Sequence, residues 1–258
     1  MSQRTTKLSG KNILLIGGSS GIGFAVAEQA LQDGAHITIS SSTEDRISKS
    51  VNSLRTNFPE QADNVRSYVA DLSSKTELER TVEGLLQYAA KDSPIDHIVF
   101  TAGDVPPLDP LPEASFDHID AFFAVRFYGA ITVAKYAPKY MVPAKSSSIT
   151  LTSGTQAHKP TMWLPPAIGC VVEGLMRGLA VTLPPIRVNV VSPGFILTEI
   201  IERLPKEMSE NAIERHKQQS LTKDVGYPGD TAEAYLYFMR DSFVTGSVLV
   251  TNGGVFLV

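Results

Sequence analysis

The stretch "NILLIGGSSGIGFAVAEQALQDGAHITIS", Asn12 to Ser40, decides the fold. "NILLIG" (12–17) is a short unbroken apolar run, the pattern of a strand covered on both faces. "GFAVAEQALQDG" (23–34) places apolar residues at helical spacing, and "HITIS" (36–40) returns to a β-rich run. Glycines at 17, 21 and 23 allow a tight turn and close approach of the backbone. The start of the following helix offers unpaired N–H groups and the positive end of its dipole. Strand, glycine-rich turn, helix and second strand in that order make a seat for a dinucleotide pyrophosphate.

The same alternation runs on to both sides. "VRSYVA" (65–70), "IDHIVF" (95–100), "SSITLT" (147–152), "IRVNVVSP" (186–193) and "GSVLVTNGG" (246–254) read as further strands. Helical spacing marks 75–91, 116–141 and 171–183. Strands alternating with helices predict an α/β chain, a single-domain, doubly wound parallel sheet of Rossmann type over 1–258. Two segments break the rhythm: the Pro-rich 103–116 and the polar, helix-prone 197–230. Both follow the carboxyl ends of strands, where open α/β sheets hold ligands, so both are expected to wall a substrate site, 197–230 as a substrate-loop insertion. The polar start, 1–12, reads as a short arm and not as a signal peptide.

Composition excludes several classes. The 258 residues are 43% hydrophobic and 19% charged with net charge −4, so no basic field draws nucleic acid or anionic lipid. No apolar run approaches the ~20 residues of a membrane span. The lone cysteine, Cys170, excludes an internal disulfide and fits a reducing, cytoplasmic setting. The five histidines lack metal-ligand spacing, and no metal is expected.

Over nearly its full length the sequence resembles the short-chain dehydrogenase/reductase family. The glycine turn of that family is matched by Ile16-Gly17-Gly18-Ser19-Ser20-Gly21-Ile22-Gly23. Asp71-Leu72 matches the pair that holds the adenine, and Phe100-Thr101-Ala102-Gly103 matches an Asn-Asn-Ala-Gly motif with its first two places changed. Pro193-Gly194-Phe195-Ile196-Leu197-Thr198 matches the segment that folds over the nicotinamide, and "TGSVLVTNGG" (245–254) the closing motif. The resemblance implies a nicotinamide dinucleotide held by these residues. It also implies a homodimer or homotetramer, through the helices 116–141 and 171–183.

The loop after the second strand chooses between dinucleotides. An NAD(H) site usually has an acidic residue there for the ribose 2′-OH. Here Ser40, Ser41, Ser42 and Thr43 come first, then Glu44, Asp45 and Arg46. Hydroxyls and a guanidinium suit a 2′-phosphate, so NADP(H) is favoured, while Glu44 and Asp45 keep NAD(H) open.

The catalytic end departs from the family. The family's serine aligns with Ser153 in "LTSGT". Its tyrosine falls on Pro166 and its lysine on Cys170, and neither residue can fill those roles. Its asparagine falls on Arg126 in "AVRFYGA". A charged Arg in an apolar helix requires a partner, so Arg126 is either an active-site cation or a structural or surface-facing Arg. Trp163 follows the Ser153 strand and offers a rigid wall for a flat substrate, or else core packing. His158 is the substitute acid best placed in the sequence, followed by Tyr128, Tyr136 and Tyr140.

Three functions fit this set. Reduction of a neutral carbonyl needs an acid, whereas reduction of a cationic iminium does not, so an atypical reductase of an imine, iminium or activated carbonyl is favoured. The spacing does not fix the substrate; the sequence resembles a divergent group of short-chain reductases from fungal natural-product pathways, which implies a hydrophobic, polycyclic secondary-metabolite intermediate. In that group Arg replaces the Asn and the Tyr–Lys pair is gone. The second function is a non-redox cyclase or isomerase on the same fold, working by orientation. The Asp that its cyclising members carry before the Trp is absent, since Pro160 and Thr161 stand there. The third is a catalytically silent, cofactor-binding sensor.

Overall fold

The computed structural model describes residues 6–103, 108–202 and 205–258. Parts of the arm 1–12 and of the segments 103–116 and 197–230 therefore lie outside the described residues. Among the described residues seven strands form one sheet: β1 (Asn12–Ile16), β2 (His36–Ser41), β3 (Val65–Val69), β4 (His97–Phe100), β5 (Ser148–Thr152), β6 (Arg187–Pro193) and β7 (Val248–Thr251). Their order is β3-β2-β1-β4-β5-β6-β7, and every neighbouring pair is parallel. Among the described residues nine α-helices connect them: α1 (Gly21–Gln32), α2 (Glu44–Asn57), α3 (Leu78–Ala89), α4 (Phe116–Phe123), α5 (Ala130–Tyr140), α6 (Pro165–Thr182), α7 (Glu199–Glu202), α8 (Lys206–Gln219) and α9 (Pro228–Arg240).

The apolar runs explain the layering. Ile13 and Leu15 pack with α1, α2 and α9, through Val26, Leu54 and Phe238. Leu14 and Ile16 point the other way, onto α3, α5 and α6, through Leu86, Val133 and Met176. Alternate side chains of one strand thus feed two cores, and an unbroken apolar run results. Each of these four side chains is at most 1% exposed and contributes about 1.5–3 kcal/mol of burial.

The helix expected over 116–141 is interrupted. A π-helical turn, Ala124–Gly129, joins α4 to α5 and carries Arg126. The segment 197–230 holds α7 and α8 and runs into α9. Two helices were not legible in the spacing. α2 buries only Ile47, Ser50, Val51 and Leu54, a helical stripe with three apolar members. α9 begins with Pro228 in its first turn and buries Tyr235, Leu236 and Phe238 against the sheet. Among the described residues no helix is long and apolar enough to cross a membrane.

His97, on β4, is 2% exposed, with Nδ1 2.9 Å from Ser148 Oγ. Burial pushes its pKa from 6.5 down to about 3, against the pull of Asp96. It is therefore neutral in the fold, whereas the unfolded chain takes up a proton first. Its stabilisation is present above pH 6.5 and is lost as the pH falls from 6.5 towards about 3. The expected slope is about 1.4 kcal/mol per pH unit. Urea unfolding of the wild type and His97→Gln between pH 7 and 5 checks this: the variant should lose stability more gently, and parallel slopes would refute the assignment.

Candidate active site

β1 lies between β2 and β4, so the connections leaving β1 and β4 diverge to opposite faces of the sheet. A crevice opens at the carboxyl ends of the strands at such a switch point. It holds a cavity of about 1070 Å³. Most of the motif residues expected at the cofactor line it, from Gly17 and Ser19 to Ile196 and Thr198, while Gly18, Phe100 and Leu197 do not. Arg126 and Ser153 line it as well.

The glycine turn is held from both neighbouring strands. Gly17 N donates to Ser40 O at 2.9 Å, and Thr101 N and Ala102 N donate to Ile16 O at 2.9 Å. Gly17 has φ +91, and a Cβ there would stand 2.5 Å from Ala102 N. Only glycine lets the turn close on the β4 loop. Thr101, in a changed place of the Ala-Gly motif, donates its hydroxyl towards Gly17 O at 3.2 Å and ties the two loops. Ser50 Oγ on α2 lies 2.7 Å from Ser19 O and braces the turn from the other side. Ser20 caps α1 with extended backbone, and the first turn of α1 has no acidic residue, so its N–H groups face the cavity with their dipole intact. This cradle fits a pyrophosphate. The carboxylate of the exposed Glu199 also reaches the turn, with Oε2 3.6 Å from where a Cβ of Gly21 would be.

At the far end Ser41, Ser42 and Arg46 line the cavity, and Glu44 and Asp45 do not. Glu44 turns along α2, accepting from Ser48 Oγ at 3.2 Å. Asp71 sits on the rim after β3, where its Oδ1 accepts from Ser73 N at 2.9 Å; Leu72 beside it is buried.

At the catalytic end the guanidinium of Arg126 lies against the backbone of Gly103. A Cβ on Gly103 would stand 2.5 Å from its Cζ and Nε. Beneath it, Thr152 Oγ1 donates to Phe100 O at 2.7 Å, so it accepts from Tyr235 Oη, also at 2.7 Å. Tyr235 is fully buried, which pushes its pKa up; the Thr152 bond and the charge of Arg126 pull it down.

Ser153 Oγ donates to Glu173 Oε1 at 3.0 Å. Glu173, on α6, is 3% exposed. Both its oxygens contact His158 Nε2, at 2.9 and 3.1 Å, and Arg177 Nη2 stands 3.9 Å away. His158 thus faces Glu173 and does not line the cavity. The tyrosines considered as acids point elsewhere: Tyr136 and Tyr140 donate to Glu79 and Glu83 on α3, and Tyr128 packs under Lys75. Pro166 and Cys170 do not line the cavity either, and Cys170 is exposed.

Trp163 lies in an adjoining shallow depression of about 620 Å³, with Leu108, Asp109 and Pro110 opposite it. Its Nε1 donates to Asp109 O at 3.0 Å. Thr161 and Met162 border both spaces, so the depression extends the main cavity. The described part of the Pro-rich segment therefore walls this extension.

The cavity also has residues that no motif announced. Lys159 donates to Val255 O at 2.8 Å and to Val258 O. His216, on α8, stacks on Phe195 at 4.0 Å and donates from Nδ1 to Ala212 O at 2.7 Å, which leaves Nε2 as its second polar atom. The excursion that carries His216 is pinned at its base by Leu197 N to Gly226 O, 2.8 Å, and Leu221 N to Gly253 O, 2.7 Å.

Comparison with known proteins agrees with this geometry. The SDR-like Rossmann domain matches residues 4–258. The chain is 42% identical over 254 residues to the short-chain dehydrogenase/reductase malC of Malbranchea aurantiaca, across 97% of this chain and 96% of that protein. It is 38% identical over 262 residues to the short-chain dehydrogenase/reductase fsr5 of Gibberella fujikuroi, across 100% and 98%. The structure of MalC reductase/Diels-Alderase from Malbranchea aurantiaca superposes with a TM-score of 0.93 at 42% identity, covering 97% of this chain and 98% of that one. A blue fluorescent protein from a metagenomic library, in complex with NADPH, shares the fold at 23% identity with a TM-score of 0.82. The chain is an enzyme of the oxidoreductase class and belongs to the short-chain dehydrogenase/reductase family.

Proposed function

We propose that this enzyme binds NADP(H) and reduces an iminium-type, hydrophobic polycyclic intermediate of secondary metabolism. One observation carries the reading: the cavity joins an intact glycine cradle to Arg126 and Ser153, while the family's tyrosine and lysine positions hold Pro166 and Cys170 outside it. When bound, the nicotinamide supplies a hydride. A cationic C=N accepts it at carbon, the π pair moves to nitrogen, and no proton donor is required. The cradle positions the dinucleotide. Arg46 with Ser41 and Ser42 supports the 2′-phosphate form, because the neighbouring acids turn away from the cavity. Arg126, Trp163 and the excursion 197–230 orient the substrate and exclude water. The proposal covers one domain over 1–258, a cytoplasmic setting, and a homodimer or homotetramer, for which the 82% exposed Val181 on α6 supplies an apolar contact.

A second reading, cyclisation by orientation alone, is favoured by the similarity to MalC reductase/Diels-Alderase. Calorimetric titration with NADPH, NADP+, NADH and NAD+ separates the two. Micromolar binding of NADPH, followed by loss of nicotinamide absorbance with a cyclic iminium acceptor, is the expected result. Binding of none of the four would remove the reductase and leave the cyclase.

A further inference from the structure

We infer that Ser153 meets the substrate as a hydrogen-bond acceptor, and that the site therefore selects a protonated nitrogen bearing N–H where a neutral carbonyl oxygen would otherwise sit. The inference deepens the proposed function and rests on its placing of the substrate beside Ser153. A serine hydroxyl has one hydrogen and two lone pairs. Here the hydrogen goes to Glu173 Oε1 at 3.0 Å, behind the cavity wall, so Ser153 turns lone pairs to the cavity.

The orientation is fixed from the far side. Glu173 is 3% exposed, and its carboxylate is clamped by His158 Nε2 on both oxygens and approached by Arg177. Turning the hydroxyl round would take a donor from a buried carboxylate, which is unfavourable. A ketone oxygen at Ser153 would face another acceptor. A protonated imine or ammonium N–H would be satisfied there. Hydrogen-bond polarity performs the selection, with the carboxylate of Glu173 held in place by His158 Nε2 and approached by the Arg177 guanidinium. Glu173 is thus a positioning residue acting through Ser153, and its place on α6 is one for which the family resemblance assigns no role.

The test uses two bicyclic probes of matching skeleton, 2-tetralone and protonated 2-aminotetralin, whose nitrogen takes the place of the ketone oxygen, titrated calorimetrically into the protein with and without NADP+. The wild type is expected to favour the cation at least tenfold. In Glu173→Leu no acceptor stands behind Ser153 and the hydroxyl hydrogen is free for the cavity, so the ratio should move at least tenfold towards the ketone. Ser153→Ala keeps the pairing of Glu173 with His158 and should also lose the preference for the cation; it decides the matter if Glu173→Leu does not fold. A wild type without preference, or a ratio unchanged in the folded variants, overturns the inference. Failure to bind NADP+ would instead count against the reductase reading, and the probe ratio measured without cofactor would still decide the role of Glu173.

Discussion

Gly17→Ala is expected to weaken NADPH binding by at least about 100-fold and to lower the Tm by several degrees. Two effects add. A non-glycine residue at φ +91 is strained by roughly 1–2 kcal/mol. The new Cβ would also stand 2.5 Å from Ala102 N and 2.7 Å from Ala102 Cα, both backbone atoms that move only with the loop after β4. A total near 3 kcal/mol corresponds to about 100-fold in affinity. Gly174→Ala is the control. Gly174 is exposed on α6 with nothing within 4 Å of the added Cβ, so alanine there should stabilise by about 0.5–1 kcal/mol. Titration and thermal melts of both variants check the pair; wild-type affinity in Gly17→Ala would show that the turn does not seat the cofactor.

Arg126→Ala is expected to reduce turnover of an iminium substrate by roughly 100-fold, about 2.7 kcal/mol, through lost orientation of the substrate, since a misplacement of about 1 Å costs that much. The Tm should change little. Arg126→Lys should rescue poorly, because a flat guanidinium lies on Gly103 and an ammonium cannot reproduce that contact. Steady-state kinetics with melts decide: a variant that unfolds would assign Arg126 to a structural ion pair, and one with full turnover would remove it from the reaction.

The sheet was readable because each strand feeds two cores, so its apolar runs stand out from the helices between them. The glycine turn was readable because Gly17, Gly21 and Gly23 stand together in one strand–turn–helix segment, although the contact that requires glycine at 17 comes from Ala102. α2 was not, since its buried stripe includes Ser50 and its other faces are polar. α9 was hidden because its first turn, Pro228 to Thr231, reads as a loop. The half of the cavity lined by the glycine turn followed from local motifs. The opposite half did not, because Glu173 meets Ser153, His216 meets Phe195 and Lys159 meets Val255 only through the tertiary fold. Trp163 shows the same limit. Its position after β5 was legible, but its partner, the carbonyl of Asp109, comes from another loop 54 residues away.

The π-helical turn at Ala124–Gly129 bears on how this enzyme can be redesigned. A π turn holds a residue more than an α turn over the same rise. Deleting one residue there would let the helix regularise while its flanks, with buried Phe122, keep nearly their present places. The side chains within the turn would change direction, and Arg126 would leave Gly103. A replacement for Arg126 therefore keeps its place over Gly103 only if the surplus residue of the turn is kept.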